Sequence, residues 1–174
     1  MVSKKKTPHF GHENPHTHSQ SVEASVANAS KGTAENILAD KGHEVVSVRP
    51  ADTIRHVVRV MYDHQIGSVV VKDQNGHLVG MLTERDLVMG FATHPDEDPD
   101  NTCAEQLMTR EVVTVTSETP VLEILHTMSE GRFRHVPVLD GEHIAGLISI
   151  GDVVKFRLRE LEYEALKLKQ MIVG

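Results

Sequence analysis

The chain states one pattern twice. Residues 45–88 read VVSVRPADTIRHVVRVMYDHQIGSVVVKDQNGHLVGMLTERDLV, and residues 112–154 read VVTVTSETPVLEILHTMSEGRFRHVPVLDGEHIAGLISIGDVV. With Val45 set on Val112 the apolar positions stay in register: Met61 falls on Met128, Val71 on Val138 and Asp73 on Asp140. The second copy is one residue shorter in the following turn. Both then reach a glycine, two apolar residues, a hydroxyl and an aspartate three further on. These are Gly80, Thr83 and Asp86 in the first copy, and Gly146, Ser149 and Asp152 in the second. A repeat of about sixty residues buries little on its own, so two copies are expected to cover each other. Such a pair creates pseudo-twofold clefts, where small ligands usually sit.

Each copy parses as strand, helix, strand, strand, helix. In the first, Val45 to Val48 is a short strand, and Asp52 or Thr53 caps a helix carrying Ile54, Val57, Val58 and Met61 at helical spacing. Gly67 to Lys72 is a buried strand, Asn75-Gly76 a hairpin turn, Leu78 to Leu82 the return strand, and Thr83 the cap of a second helix. The second copy predicts Val112 to Val115, Val121 to Met128, His135 to Leu139, an Asp140-Gly141 turn, Ile144 to Ile148, and a helix from Ser149. Ahead of the repeats, Thr33 or Asn36 opens a short helix through Ile37 and Leu38, stopped by Gly42.

These elements divide the 174 residues into five parts. Residues 1–33 form a polar, His-rich tail without helical or strand period, expected to be disordered. Residues 34–94 carry repeat 1, residues 95–104 an acidic linker broken by Pro95 and Pro99, residues 105–160 repeat 2, and residues 161–174 an extension of the last helix. In the tail, His9, His12, His16 and His18 are able to ligate a divalent metal, but a flexible tail explains them without one. In the last helix Val154, Leu158, Leu161, Ala165, Leu168 and Ile172 are spaced four, three, four, three, four. That is a heptad seam, and it predicts self-association.

Composition narrows the function. A net charge of -7 argues against a nucleic-acid binder that works by neutralising phosphates, and the scarcity of aromatics removes a stacking platform. No apolar stretch approaches the roughly 20 residues that span a bilayer. Lys4, Lys5 and Lys6 have no apolar region behind them, so no secretory signal is read. The single cysteine, Cys103, fits a reducing compartment. The expectation is a soluble cytoplasmic protein without nucleic-acid or membrane partners.

The repeated hydroxyl and aspartate have two readings. As helix caps, Thr83 with Asp86 and Ser149 with Asp152 satisfy backbone N–H groups and favour the helix dipole, at about 1 kcal/mol per cap. As a ligand site, the same helix N-termini suit phosphate, and a carboxylate there can accept both hydroxyls of a ribose. The segment Arg132-Phe133-Arg134-His135-Val136-Pro137-Val138 favours the ligand, because Arg offers fixed donors for phosphate oxygens. Its counterpart in the first copy, Gln65-Ile66-Gly67-Ser68, has no cation. The clefts are therefore expected to be unequal, the second equipped for phosphate and the first poorer. Arg85, beside Asp86, is a further cation, and its counterpart is Gly151.

The five-element repeat, RHVPV, GMLTERD and GLISIGD resemble a tandem cystathionine β-synthase (CBS) domain pair, or Bateman module, over roughly residues 34–160. The resemblance implies an α/β (α+β) fold of two β-α-β-β-α repeats packed with pseudo-twofold symmetry, commonly paired again as a homodimer. It also implies binding of adenosine-containing ligands such as AMP, ADP, ATP, NAD(H) or S-adenosylmethionine between the repeats, with no metal required. Carried over, Asp152 and Asp86 hold ribose hydroxyls, Ser149 and Thr83 meet ribose or phosphate, and Arg132, Arg134 and His135 meet phosphate, with Arg85 beside them. Backbone at Val46 and Thr114, with Val136 and Pro137, frames the base. In the first copy Gly67-Ser68-Val69-Val70 departs from the Arg-His-Val-Pro pattern, which weakens phosphate binding there.

The function this implies is a non-catalytic regulatory sensor, with energy sensing as one form, acting on a regulated protein that the sequence does not name. The alternative is a ligand-free structural or interaction scaffold. An enzyme is the weakest reading: Cys103 has no activating neighbours, and no serine elbow, P-loop or GxGxxG is present.

Overall fold

The computed structural model describes residues 32–96 and 98–173. Almost all of the predicted tail, including His9, His12, His16 and His18, lies outside the described residues. The elements run α1 (Ala34–Lys41), β1 (Ser47–Val48), α2 (Ile54–His64), β2 (Ser68–Lys72), β3 (Leu78–Thr83) and α3 (Glu84–Thr93), then α4 (Ala104–Leu107), α5 (Val121–Gly131), β4 (His135–Asp140), β5 (His143–Ser149) and α6 (Ile150–Val173). In the first repeat β1 pairs parallel with β2, which pairs antiparallel with β3. In the second, β4 and β5 make the matching hairpin, Val138 facing Gly146 as Val71 faces Gly80.

The strand expected over Val112 to Val115 contracts to one parallel bridge, Val115 to Val138. Pro137 supplies the reason. In the first repeat the Val70 amide donates to the carbonyl of Val46 at 3.3 Å. Pro137 holds the equivalent place and has no N–H, so the ladder cannot continue toward Val113. The Pro137 carbonyl still accepts from Val115 N at 3.1 Å, and Leu139 N donates to Val115 O at 2.8 Å.

Two cores follow from the apolar pattern, and each borrows a helix from the other half of the chain. Ala34, Ile37 and Leu38 of α1, which precedes the repeated stretch 45–88, are buried with Val121, Ile124, Met128, Val136, Val138, Ile148 and Val153 of the second half. Conversely, Ala104 and Met108, which precede the repeated stretch 112–154, are buried with Ile54, Val57, Met61, Val69, Val71, Leu82 and Leu87 of the first half. The backbone bonds match as well. Ala34 N donates to Thr119 O and Val121 N to Gly32 O, both at 2.9 Å; Ala104 N donates to Asp52 O and Ile54 N to Thr102 O, both at 2.8 Å. The sequence repeat therefore reaches further back than Val45, to Thr33-Ala34-Glu35-Asn36-Ile37-Leu38 on Cys103-Ala104-Glu105-Gln106-Leu107-Met108.

The repeated glycine makes this crossing possible. A Cβ on Gly146 would stand 2.4 Å from Leu38 Cδ2, and one on Gly80 would stand 2.5 Å from Met108 Sδ. Each strand thus presents a bare backbone against which the borrowed helix lies. Burying a side chain such as Leu38 there contributes about 1.5–3 kcal/mol.

Candidate functional site

Crossing of the halves decides what faces what. One cleft, of about 380 Å³, is lined by Thr83, Glu84, Arg85 and Asp86 at the start of α3, with Gly67 and Thr109, and by Gly131, Arg132, Phe133, Arg134 and His135 of repeat 2. The other, of about 300 Å³, is lined by Ser149, Asp152 and Leu147, with His135, and by Val45, Val46, Gln65, Ile66, Gly67 and Ser68 of repeat 1, together with Lys41 and Glu44. Each acid of the repeated motif thus looks across at the other repeat's helix-to-strand turn.

Local rules shape both rims. The Asp86 carboxylate accepts from Thr83 N at 2.8 Å and from Thr83 Oγ1 at 2.6 Å, while that hydroxyl accepts from Asp86 N at 3.3 Å. Asp152 repeats this with Ser149, at 2.8, 2.7 and 3.2 Å. Across the cleft, α2 and α5 both end in a non-glycine left-handed residue, Gln65 (φ 53°) and Arg132 (φ 54°). That conformation swings the following residues toward the neighbouring helix N-terminus. Arg132 is held there partly by Arg85, whose guanidinium donates to the Arg132 carbonyl at 3.0 Å.

The two clefts differ at one lysine. Lys41 Nζ donates to Asp152 Oδ2 at 2.6 Å and to the carbonyl of Leu147 at 2.8 Å. At the matching strand edge in repeat 1, the backbone of Thr109 exchanges two bonds with Met81, each 2.9 Å. The difference traces to helix length: α1 has 8 residues and α4 has 4, so only α1 carries a side chain as far as the acid. In the Asp152 cleft the acid is paired with Lys41, whereas the Asp86 cleft carries Arg85, Arg132 and Arg134 on its wall.

The CBS domain family model matches residues 40–92 and 104–159, more than half of the chain. The chain belongs to the CBS domain family. Among its relatives, a mitochondrial CBS domain-containing protein of Arabidopsis thaliana is 34% identical over 127 residues, 71% of this chain and 61% of that protein. The chain thus spans about three-fifths of that relative's length. The crystal structure of a CBS-domain containing protein from Agrobacterium tumefaciens matches with TM-score 0.69 and 38% identity, over 73% of this chain and 96% of that one. A CBS domain pair solved in complex with 5'-methylthioadenosine and S-adenosyl-L-methionine matches with TM-score 0.64 and 23% identity, over 72% of this chain and 94% of that one, a likeness of fold.

Within this CBS pair the charge states follow from burial and neighbours. Burial pushes the Asp152 carboxyl up, but the hydrogen bonds from Lys41 and Ser149 and the Lys41 charge outweigh it, and the group sits below the ordinary carboxylate range. His135, which lines both clefts, is pushed down by burial first and then by the Lys41 charge. Its imidazole is neutral at neutral pH and offers one donor and one acceptor.

The expected pairing of clefts changes in the CBS fold. The sequence expectation equips the second cleft for phosphate and leaves the first poorer; the structure places Arg132 and Arg134 with Asp86 and Thr83, and His135 on both clefts. Gly67 lines both clefts, and Val46 and Ser68 belong to the Asp152 cleft. Val136 is buried in the repeat 2 core, and Pro137 is buried in β4 opposite Leu147. Thr114 is exposed and stands outside the lining of both clefts, as does Val113, the counterpart of Val46. Lys41 and Thr109 escaped the sequence reading. The signal for both is the backward extension of the repeat, in which the first copy is three residues longer between Leu38 and Val45 than the second between Met108 and Val112.

Proposed function

We propose that this CBS pair is a non-catalytic regulatory module. It binds an adenosine-containing ligand between its repeats and passes the resulting change to a partner protein. The observation that supports this reading is the Asp86 cleft. A capped helix N-terminus with a ribose-competent carboxylate, carrying Arg85 beside it, faces Arg132 and Arg134 across about 380 Å³, a chemistry suited to a nucleotide phosphate at one end and a sugar diol at the other. AMP, ADP, ATP and NAD(H) fit this description better than S-adenosylmethionine, whose sulfonium would meet the arginines. A ligand changes the partner only through differential affinity for two conformations, and the inter-repeat position makes such a difference natural.

Self-association as a homodimer accompanies this reading. The outer faces of the repeat helices keep Val58, Tyr62, Val88 and Met89 on the surface, 45–81% exposed, more apolar surface than a monomer needs. The scaffold alternative applies to the Asp152 cleft in particular, since Lys41 already engages the carboxylate there.

Thermal unfolding against AMP, ADP, ATP, NADH and S-adenosylmethionine tests the proposal, with Arg134→Ala beside the native chain. At a hundredfold excess over Kd, binding adds about 2.7 kcal/mol, which raises Tm by roughly 5 to 11 °C for a chain of this size. A shift with one nucleotide that Arg134→Ala abolishes supports the sensor. A flat panel on a folded protein overturns it in favour of the scaffold.

A further inference from the structure

Among the described residues, helix α6 is the one long element that leaves its own core. As far as Glu160 it is held: Val153 is buried, Phe156 packs over Gly32, and Arg159 pairs with Asp40 of α1 at 2.7 Å. From Leu161 to Ile172 every residue is exposed. Leu161 to Val173 adds thirteen residues to the helix, although most helical stability in proteins comes from a packed apolar face rather than from propensity. Its apolar face is nevertheless continuous. Leu158, Leu161 and Leu168 are 50–61% exposed and Ile172 is 83% exposed, along one heptad stripe that begins at Val154. On the opposite face Lys167 lies over the Tyr163 ring, 4.8 Å from its centroid.

We infer that this extension pairs with the same extension of a second copy as a parallel, in-register two-stranded coiled coil. The proposal rests on the homodimer reading above and gives it a geometry. Leu158, Ala165 and Ile172 take the a positions, and Val154, Leu161 and Leu168 the d positions. Flanking charges then choose the partner and the direction. In a parallel pair a g residue meets the e residue five places on in the other helix. Glu164 meets Lys169 of the second copy, and one heptad earlier Arg157 meets Glu162. Both contacts are attractive, and twofold symmetry makes each twice. Arg157 already bonds Glu160 of its own helix at 2.5 Å and has further donors for a neighbour. An unrelated apolar partner would require none of this charge order. A seam under three heptads is short for an isolated coil, but attachment to a body that also self-associates raises the effective concentration of the two strands.

Charge reversal in the full chain tests this, read by sedimentation equilibrium and by disulfide trapping. Glu164→Lys or Lys169→Glu alone should weaken dimerisation roughly tenfold by turning two attractive contacts repulsive, and the double variant should restore it. In the Cys103→Ser background, Ala165→Cys at the seam should cross-link two copies under mild oxidation, and Gln170→Cys on the outer face should not. A dimer indifferent to both reversals, or cross-linked equally at 165 and 170, overturns the coiled coil and leaves the homodimer standing. A native chain that stays monomeric at high concentration overturns both.

Discussion

Lys41 and Asp152 stand 2.6 Å apart although 111 residues separate them in the chain. The contact joins the C-terminal end of α1 to the N-terminal turn of α6, where each charge also faces the favourable pole of its own helix. It fixes how the segment before the first repeated stretch lies on repeat 2, and it engages one oxygen of the Asp152 carboxylate.

Lys41→Met should therefore lower stability at neutral pH by roughly 1 kcal/mol, the scale of a partly exposed, hydrogen-bonded ion pair. The carboxyl of Asp152 is held below its ordinary value in the folded chain. Its contribution is present above that ordinary value and is lost as pH falls through the folded one. Urea unfolding at pH 7 and pH 3 should show the two proteins converging at the acid end. A constant gap across that range would place the lysine's effect in packing rather than in the pair.

The Asp86 cleft, with its arginines, should show a distinct pattern of losses. Arg132→Ala and Arg134→Ala should each weaken a phosphate-bearing nucleotide about tenfold or more, since a charge-assisted bond is worth roughly 1.5–3 kcal/mol, and should leave adenosine unchanged. Asp86→Asn should weaken both ligands, whereas Asp152→Asn should leave the first equivalent intact. Calorimetric titration of the four variants reads this directly. Equal losses at Asp86 and Asp152 would reject the assignment.

Gly146 provides a packing test. Gly146→Ala places a methyl 2.4 Å from Leu38 Cδ2 and should cost about 1–3 kcal/mol, as overpacking does. Leu38→Ala opens a cavity at about 2–5 kcal/mol. The double variant should lose clearly less than the sum, because the new methyl enters the space that Leu38 leaves. Simple additivity in chemical denaturation would mean that α1 does not rest on this strand.

His135 should make stability fall on mild acidification. Its folded pKa lies below the ordinary 6.5, with burial as the first cause, so the unfolded chain binds the proton more readily. Stability is complete above that value and declines as pH drops toward the folded one. His135→Asn should flatten this limb between pH 7 and 5. A nucleotide phosphate beside the ring should oppose the decline and draw in a proton on binding, which titration in buffers of different ionisation enthalpy would register.

Much of this was legible in the chain because it is local. Thr33, Thr53 and Thr83 stand at helix N-termini as their sequence neighbours require, and Gly42, Gly76 and Gly141 adopt positive φ where turns were read. The register of the two copies holds through both hairpins. What escaped is non-local. Nothing within a few residues of Val112 reveals that Pro137 will withhold the bond a strand there needs, and nothing near Lys41 points to Asp152.

The sequence by itself determined two equivalent halves, their elements, and an unequal supply of cations, since helical and strand periods, caps and turns act over three or four residues. The tertiary structure decided which halves of the site meet. Ala34-to-Leu38 and Ala104-to-Met108 carry nearly the same apolar pattern, and Gly80 and Gly146 offer nearly the same bare strand. A local pattern does not choose between two matching surfaces. Chain geometry lays each helix on the other repeat, and with that crossing the arginines of repeat 2 come to face the acid of repeat 1.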